Sequence, residues 1–159
     1  MSPVNKSSEL LRNVYLFNDL SQPELEKIMG LAYDKSYEKE AAVFQEGEIG
    51  DAFYIVTEGE IRISTMVPGV GEEALKILRP GEYFGEMALI DDFPRSAAAI
   101  AHQGPVKLLA IYKRDFKKML SEDKELAYKL LSVFIKTLSS RLRETNEKLK
   151  SIFAMAKAF

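Results

Sequence analysis

Residues 80–101 read PGEYFGEMALIDDFPRSAAAIA. Pro80-Gly81 makes a turn, and Gly85, lacking a Cβ, lets the backbone approach another group closely. Glu86 to Leu89 can form one helical turn whose first N–H groups suit an anion. Pro94 ends that segment, and Arg95 opens a strand of small residues beginning Ser96-Ala97. An arginine on an otherwise apolar strand must be paired if buried, and its planar fork matches a phosphate through two parallel hydrogen bonds. Glycine, a helix start and one arginine together describe a small phosphate cradle. Glu86 is an odd companion for a phosphate because like charges repel. It makes sense facing a hydroxyl, as carboxylates do with ribose. A second reading stays open here: Glu86 and Arg95 form a surface salt bridge, and Gly85 merely turns the chain.

Outward from this stretch, residues 36–112 are cut at Gly47, Gly50, Gly59, Pro68 to Gly71, Pro80-Gly81, Pro94 and Gly104-Pro105. Between the cuts lie strand-like runs: Ala42–Gln45, Phe53–Thr57, Ile61–Met66, Ala74–Leu78, Ala97–Ala101 and Val106–Tyr112. Short strands at this spacing predict a closed or sandwiched antiparallel sheet rather than alternating α/β. Residues 1–35 read as a helical segment. Ser21 and Glu24 stand as a capping box before Leu25, Ile28, Met29 and Ala32, with Pro23 in the first turn. Residues 113–159 contain no glycine and no proline. They predict a short helix over Arg114–Leu120, a break near Ser121, and one long helix. The three zones form a single domain, mainly β with flanking helices.

Composition narrows the functions available. The 159 residues include no cysteine and one histidine, and carry a formal charge of −2. Disulfides, thiolate metal sites and cysteine nucleophiles are excluded, and no basic excess points to a phosphate-backbone partner. No apolar run reaches the roughly 20 residues a membrane span needs. The opening Met1 to Glu9 has no apolar core of a signal sequence, so a cytoplasmic address is expected. His102 alone predicts no metal site. Asp91 and Asp92 are read as a solvated turn, because sequence neighbours usually point apart.

In the long helix, Tyr128, Leu131, Ile135, Leu138, Leu142, Thr145, Leu149, Ile152, Ala156 and Phe159 follow an unbroken 3,4 rhythm. A heptad seam of this length predicts a parallel homodimeric coiled coil. A second stripe, Leu126, Leu130, Val133, Phe134 and Thr137, occupies only the first half and predicts packing on the barrel. Thr145 is the one polar seam position, and such a residue usually specifies register or a ligand.

The stretch Phe84-Gly85-Glu86-Met87-Ala88-Leu89, followed after five residues by Arg95-Ser96-Ala97, resembles the phosphate-binding cassette of the cyclic-nucleotide-binding domain family. That family includes the bacterial catabolite activator protein and the regulatory subunits of cAMP-dependent protein kinase. Upstream, Val43 to Asp51, then Phe53 to Val56 and Gly59, match the same family in order. The resemblance covers roughly residues 16–152. It implies a double-stranded β-helix (jelly-roll) barrel with N-terminal helices and a long C-terminal helix. Arg95 would then pair with the cyclic phosphate, and the N–H groups after Gly85, including that of Ala88, would hold another phosphate oxygen. Glu86 would accept from the ribose 2′-OH, and Ser96 would bond the phosphate or a guanine amino group. Phe84, Met87 and Ala97 complete the expected binding set. Arg141 to Lys148 resembles the dimer helix of the catabolite activator protein, where a threonine and a serine from opposite subunits reach adenine. Thr145 and Asn146 stand in those places, with asparagine replacing serine. This favours cAMP over cGMP as the ligand. Phe44 departs from the smaller aliphatic residue usual in the family, a change expected to affect barrel packing more than binding.

The expected function is a cyclic-nucleotide-sensing regulatory module, not an enzyme, whose C-terminal helix moves about a hinge near Leu120–Lys124 and signals to an effector protein. A helix-turn-helix has no room before Phe159, so direct nucleic-acid binding is not expected. The rival expectation is a dimeric adaptor or structural protein with a vestigial nucleotide pocket. A metal-dependent enzyme on a jelly-roll scaffold needs several histidines, and one cannot supply them.

Overall fold

The apolar run Phe53 to Val56 does not alternate with polar residues because its strand is buried on both faces. Phe53 and Ile55 pack beneath helices, while Ala52, Tyr54 and Val56 face the interior between two sheets. This division organises the computed structural model, which describes residues 10–159. The polar opening Met1 to Glu9, read above as no signal sequence, lies outside the described residues.

A 3-10 turn at Tyr15–Phe17 and helix α1 (Gln22–Met29) precede the strands. These are β1 (Ala32–Tyr37), β2 (Ala42–Phe44), β3 (Ala52–Glu58), β4 (Ile61–Val67), β5 (Gly71–Leu78), β6 (Tyr83–Phe84), β7 (Ala98–Ala101) and β8 (Val106–Tyr112). Helix α2 (Met87–Ile90) separates β6 from β7, and α3 (Lys113–Glu122) and α4 (Lys124–Lys157) close the chain. The strands make two antiparallel four-stranded sheets, ordered β1-β8-β3-β6 and β2-β7-β4-β5. The architecture is a jelly-roll barrel with flanking helices, as the family resemblance implies.

Two local expectations need correction, and one short strand carried no signal. The chain turns from helix to strand at Ala32, before the expected boundary at 36, because Ala32–Tyr37 pairs along β8 as an edge strand. Edge residues are largely exposed and carry no apolar alternation, so nothing in their pattern marked them. The strand β6 is too short to have a pattern at all. The break expected near Ser121 falls at Asp123, whose carboxylate accepts the Leu126 N–H at 3.0 Å and caps α4. Ser121 instead donates to Lys118 O within α3.

Helix α1 carries the expected capping box, with Ser21 and Glu24 bonded reciprocally. It is fastened to α4 by Lys27–Asp123 at 2.7 Å and Glu24–Lys129 at 3.0 Å. Beneath them Phe53, Tyr83, Phe116 and Phe134 meet edge to face, 5.8–6.5 Å between centroids. Such contacts are favoured by the ring quadrupoles. This cluster joins β3, β6, α3 and α4 in one core.

The two stripes of α4 have different fates. Leu126, Leu130, Val133 and Phe134 are buried against the barrel. The heptad seam is left largely open, with Tyr128, Ile135 and Leu142 at 62–75% exposure and Leu138 half-buried. No helix among the described residues is long and apolar enough to cross a membrane.

Candidate functional site

The strand β6 ends at Phe84, and the chain turns at Gly85 with φ +78°. That left-handed value favours glycine, and a Cβ there would lie 2.8 Å from an Arg95 guanidinium nitrogen. The turn starts α2, whose Ala88 N–H bends back to Gly85 O at 3.3 Å. On the other side, Pro94 bridges Ile49 in antiparallel fashion. The Arg95 N–H donates to Glu48 O at 2.7 Å, and the Gly47 N–H donates to Arg95 O at 2.9 Å. The loop 47–50 thus holds Arg95 from behind. A Cβ on Gly50 would lie 2.5 Å from that of Ala88 and 2.7 Å from the Arg95 Cζ. Gly50, read from sequence as a chain break and as part of the upstream family match but given no role, is where the two halves of the cassette touch.

Arg95 is 7% exposed. Its Nη1 donates to Gly85 O at 3.0 Å and its Nη2 to Ala52 O at 2.6 Å, while Nε is buried with no partner. The Phe44 ring lies 4.0 Å from the guanidinium carbon. No carboxylate among the described residues pairs with Arg95. Burial lowers its pKa by disfavouring the charged form. Tyr54 supplies no counter-charge, since burial pushes its phenol up to about 12. A buried cation facing only carbonyls and a ring is costly, and an anion at the free edge of the fork would relieve it. The donor set fits a phosphate. Phe44, expected to matter for barrel packing more than for binding, lies directly under the group that would bind.

Glu86 is 1% exposed and pairs with Arg141 on α4, not with Arg95. The surface salt bridge between Glu86 and Arg95 is therefore not formed. One turn before Arg141, Thr137 accepts the Tyr83 hydroxyl at 3.1 Å. Arg141 is a site residue that the sequence reading passed over. It was legible as the next step of the inner stripe, four residues beyond Thr137, where a cation replaces an apolar residue.

A cavity of about 440 Å³ opens between these groups, within the range of small-ligand sites. Phe84, Gly85, Glu86, Met87, Ala88, Arg95, Ser96 and Ala97 all line it, with Arg141 at one side and Phe44, Ile63 and Leu78 forming apolar wall. Thr145 and Asn146 do not line it. Both are exposed farther along α4, and the Thr145 hydroxyl donates to Arg141 O at 2.8 Å. His102 meets Arg62, and no group among the described residues could hold a metal ion. Asp91 and Asp92 are tied by Lys113, which donates to the Asp91 carbonyl and the Asp92 carboxylate.

The family model described as the cyclic nucleotide-binding domain matches residues 34–123, a span holding both halves of this cassette. The chain belongs to the cyclic nucleotide-binding domain family. Among curated relatives of this domain, the cyclic AMP receptor protein of Thermus thermophilus is 32% identical over 82% of this chain and 58% of its own length. The cGMP-dependent protein kinase 2 of Mus musculus is 35% identical over 81% of this chain and 17% of its own length. The solved Thermus thermophilus catabolite activator protein superposes with a TM-score of 0.75 and 31% identity, covering 87% of this chain and 62% of that one. The cyclic nucleotide-binding domain here thus spans somewhat over half of one curated relative and a sixth of another.

Proposed function

We propose that the chain is a cAMP-responsive regulatory module whose output is the position of α4 in a parallel homodimer. The observation that carries the reading is Arg95, a buried guanidinium with carbonyl partners only and a free Nε, set at a cavity of nucleotide size. Arg95 would neutralise the cyclic phosphate, and Glu86 would accept the ribose 2′-OH. Charge-assisted bonds of this kind are worth about 1.5–3 kcal/mol each. Because Glu86 is already held by Arg141, a ribose hydroxyl arriving at that carboxylate would act on α4 through the shared partner. A ligand shifts an equilibrium only by contacts that differ between its states, and this pair is such a contact.

The open heptad seam supports dimerisation, since it leaves an exposed apolar stripe, interrupted at Thr145, on a helix whose first half is seated on the barrel. The resemblance of Thr145 and Asn146 to the adenine-contacting pair of the catabolite activator dimer helix supports cAMP over cGMP. Thr145 and Asn146 lie outside their own chain's cavity and would reach adenine only across a dimer. Relatives of both ligand types exist, so the base preference is a direct test. The signal would pass to an effector protein.

Isothermal titration with cAMP and cGMP tests the reading. Parent protein should bind cAMP more tightly, Arg95→Ala should weaken it at least about tenfold, and Glu86→Ala should erase the preference for the ribose over a 2′-deoxy ligand. Absence of heat with either nucleotide would favour the adaptor with a vestigial pocket.

A further inference from the structure

Phe93 is 75% exposed yet lines the same cavity as Arg95. Its placement follows from its neighbours. A residue preceding proline is driven to extended backbone, and Pro94 is itself bridged to Ile49 in antiparallel fashion. Phe93 and Pro94 both stand on the cavity lining immediately before Arg95 in the chain, Phe93 at its exposed rim and Arg95 at its buried end. Two extended residues span roughly 6.6 Å, which sets Phe93 beside whatever Arg95 binds and on its solvent side. The loop is also built rather than loose. The Phe93 N–H donates to the Asp91 carboxylate at 3.1 Å. The Lys113 ammonium, mostly buried, fastens the Asp91 carbonyl at 2.8 Å and the Asp92 carboxylate at 2.6 Å.

From this juxtaposition we infer that Phe93 is a ligand-binding residue that covers the phosphate end of the bound nucleotide. The inference rests on the cyclic-nucleotide reading above. The ring lays apolar surface over the Arg95–phosphate contact and removes water from it. In the lower local dielectric the charge pair is stronger and less screened by salt. Free protein leaves the ring in solvent, and the complex buries it, so the residue favours the bound state.

The test titrates cAMP into the parent chain, Phe93→Ala, Phe93→Leu and Arg95→Ala at low and at high ionic strength. Phe93→Ala should weaken binding about tenfold, chiefly through faster dissociation, and its affinity should fall more steeply with salt than that of the parent. Phe93→Leu should restore most of both properties, since an apolar cover suffices. Phe93→Ala with parental affinity and parental salt dependence would overturn this inference alone. A parent that takes up no cAMP, or an Arg95→Ala that binds as the parent does, would overturn the underlying reading and this inference with it.

Discussion

Arg141 of α4 and Glu86 of the cassette form an ion pair in which the Glu86 side chain is 2% exposed and the Arg141 side chain 42% exposed. The asymmetry sets what each substitution costs. Removing the arginine strands a buried carboxylate, at about 1–3 kcal/mol, whereas removing the carboxylate leaves a cation that water can reach. Arg141→Gln is expected to destabilise the ligand-free chain by that amount in urea unfolding. The Glu86→Gln/Arg141→Gln double variant should lose less than the sum of the singles. Strict additivity would mean that the pair carries no coupling between cassette and helix.

Gly50 makes a second prediction because of how little room surrounds it. A methyl group there meets Ala88 and the Arg95 guanidinium at distances real Cβ atoms do not occupy, so one half of the cassette must move. Overpacking of this kind costs about 1–3 kcal/mol. Gly50→Ala should weaken cAMP binding by about tenfold or more. Gly104→Ala, where a Cβ has nothing within 4 Å, should bind as the parent does. Equal affinities in calorimetry for the two variants would show that the cassette tolerates displacement of Arg95.

The cassette was legible because its parts are local: Gly85, Glu86 and Arg95 lie within one stretch of eleven residues and each has a chemical reason to be there. Strands β3 and β8 were legible for a similar reason, being continuous apolar runs between turn residues. The missing pieces depend on distant partners. The edge strand β1 exists because β8 offers it hydrogen bonds, and its own residues carry little pattern. The neighbours of Gly50 come from α2 and from Arg95, which no local reading places beside it. Arg141 was visible as the end of an inner stripe, but its partner was not, since Glu86 is 55 positions away. Phe44 beneath Arg95 is likewise a meeting of β2 with the cassette.

The exposed seam yields a third expectation. Leu142 is 62% exposed in a single chain, next to Arg141, whose side chain is paired with the cassette. A glutamate there would stay mostly in solvent within its own subunit but would place like charges against each other across a parallel dimer. Leu142→Glu should leave the unfolding of the barrel nearly unchanged and shift sedimentation from dimer to monomer at micromolar concentration. A parent that already sediments as a monomer would refute the dimer, and with it the route by which Thr145 reaches a ligand.

The last expectation concerns acid. Asp123 both caps α4 and pairs with Lys27, and these bonds, the Lys27 bond foremost, hold its carboxyl below the ordinary aspartate range. A group whose pKa is depressed on folding contributes stability above its unfolded pKa and loses that contribution as pH falls through the folded one. Asparagine caps a helix about as well as aspartate, so Asp123→Asn removes the charge while keeping the cap. At neutral pH the variant should therefore unfold at lower urea than the parent. The gap should narrow as pH drops below about 4, because the parent's own carboxylate is being neutralised. A gap that stays constant from neutral pH into that acid range would place the effect in the cap or in packing, and would remove the Lys27–Asp123 pair as the link between α1 and the start of α4.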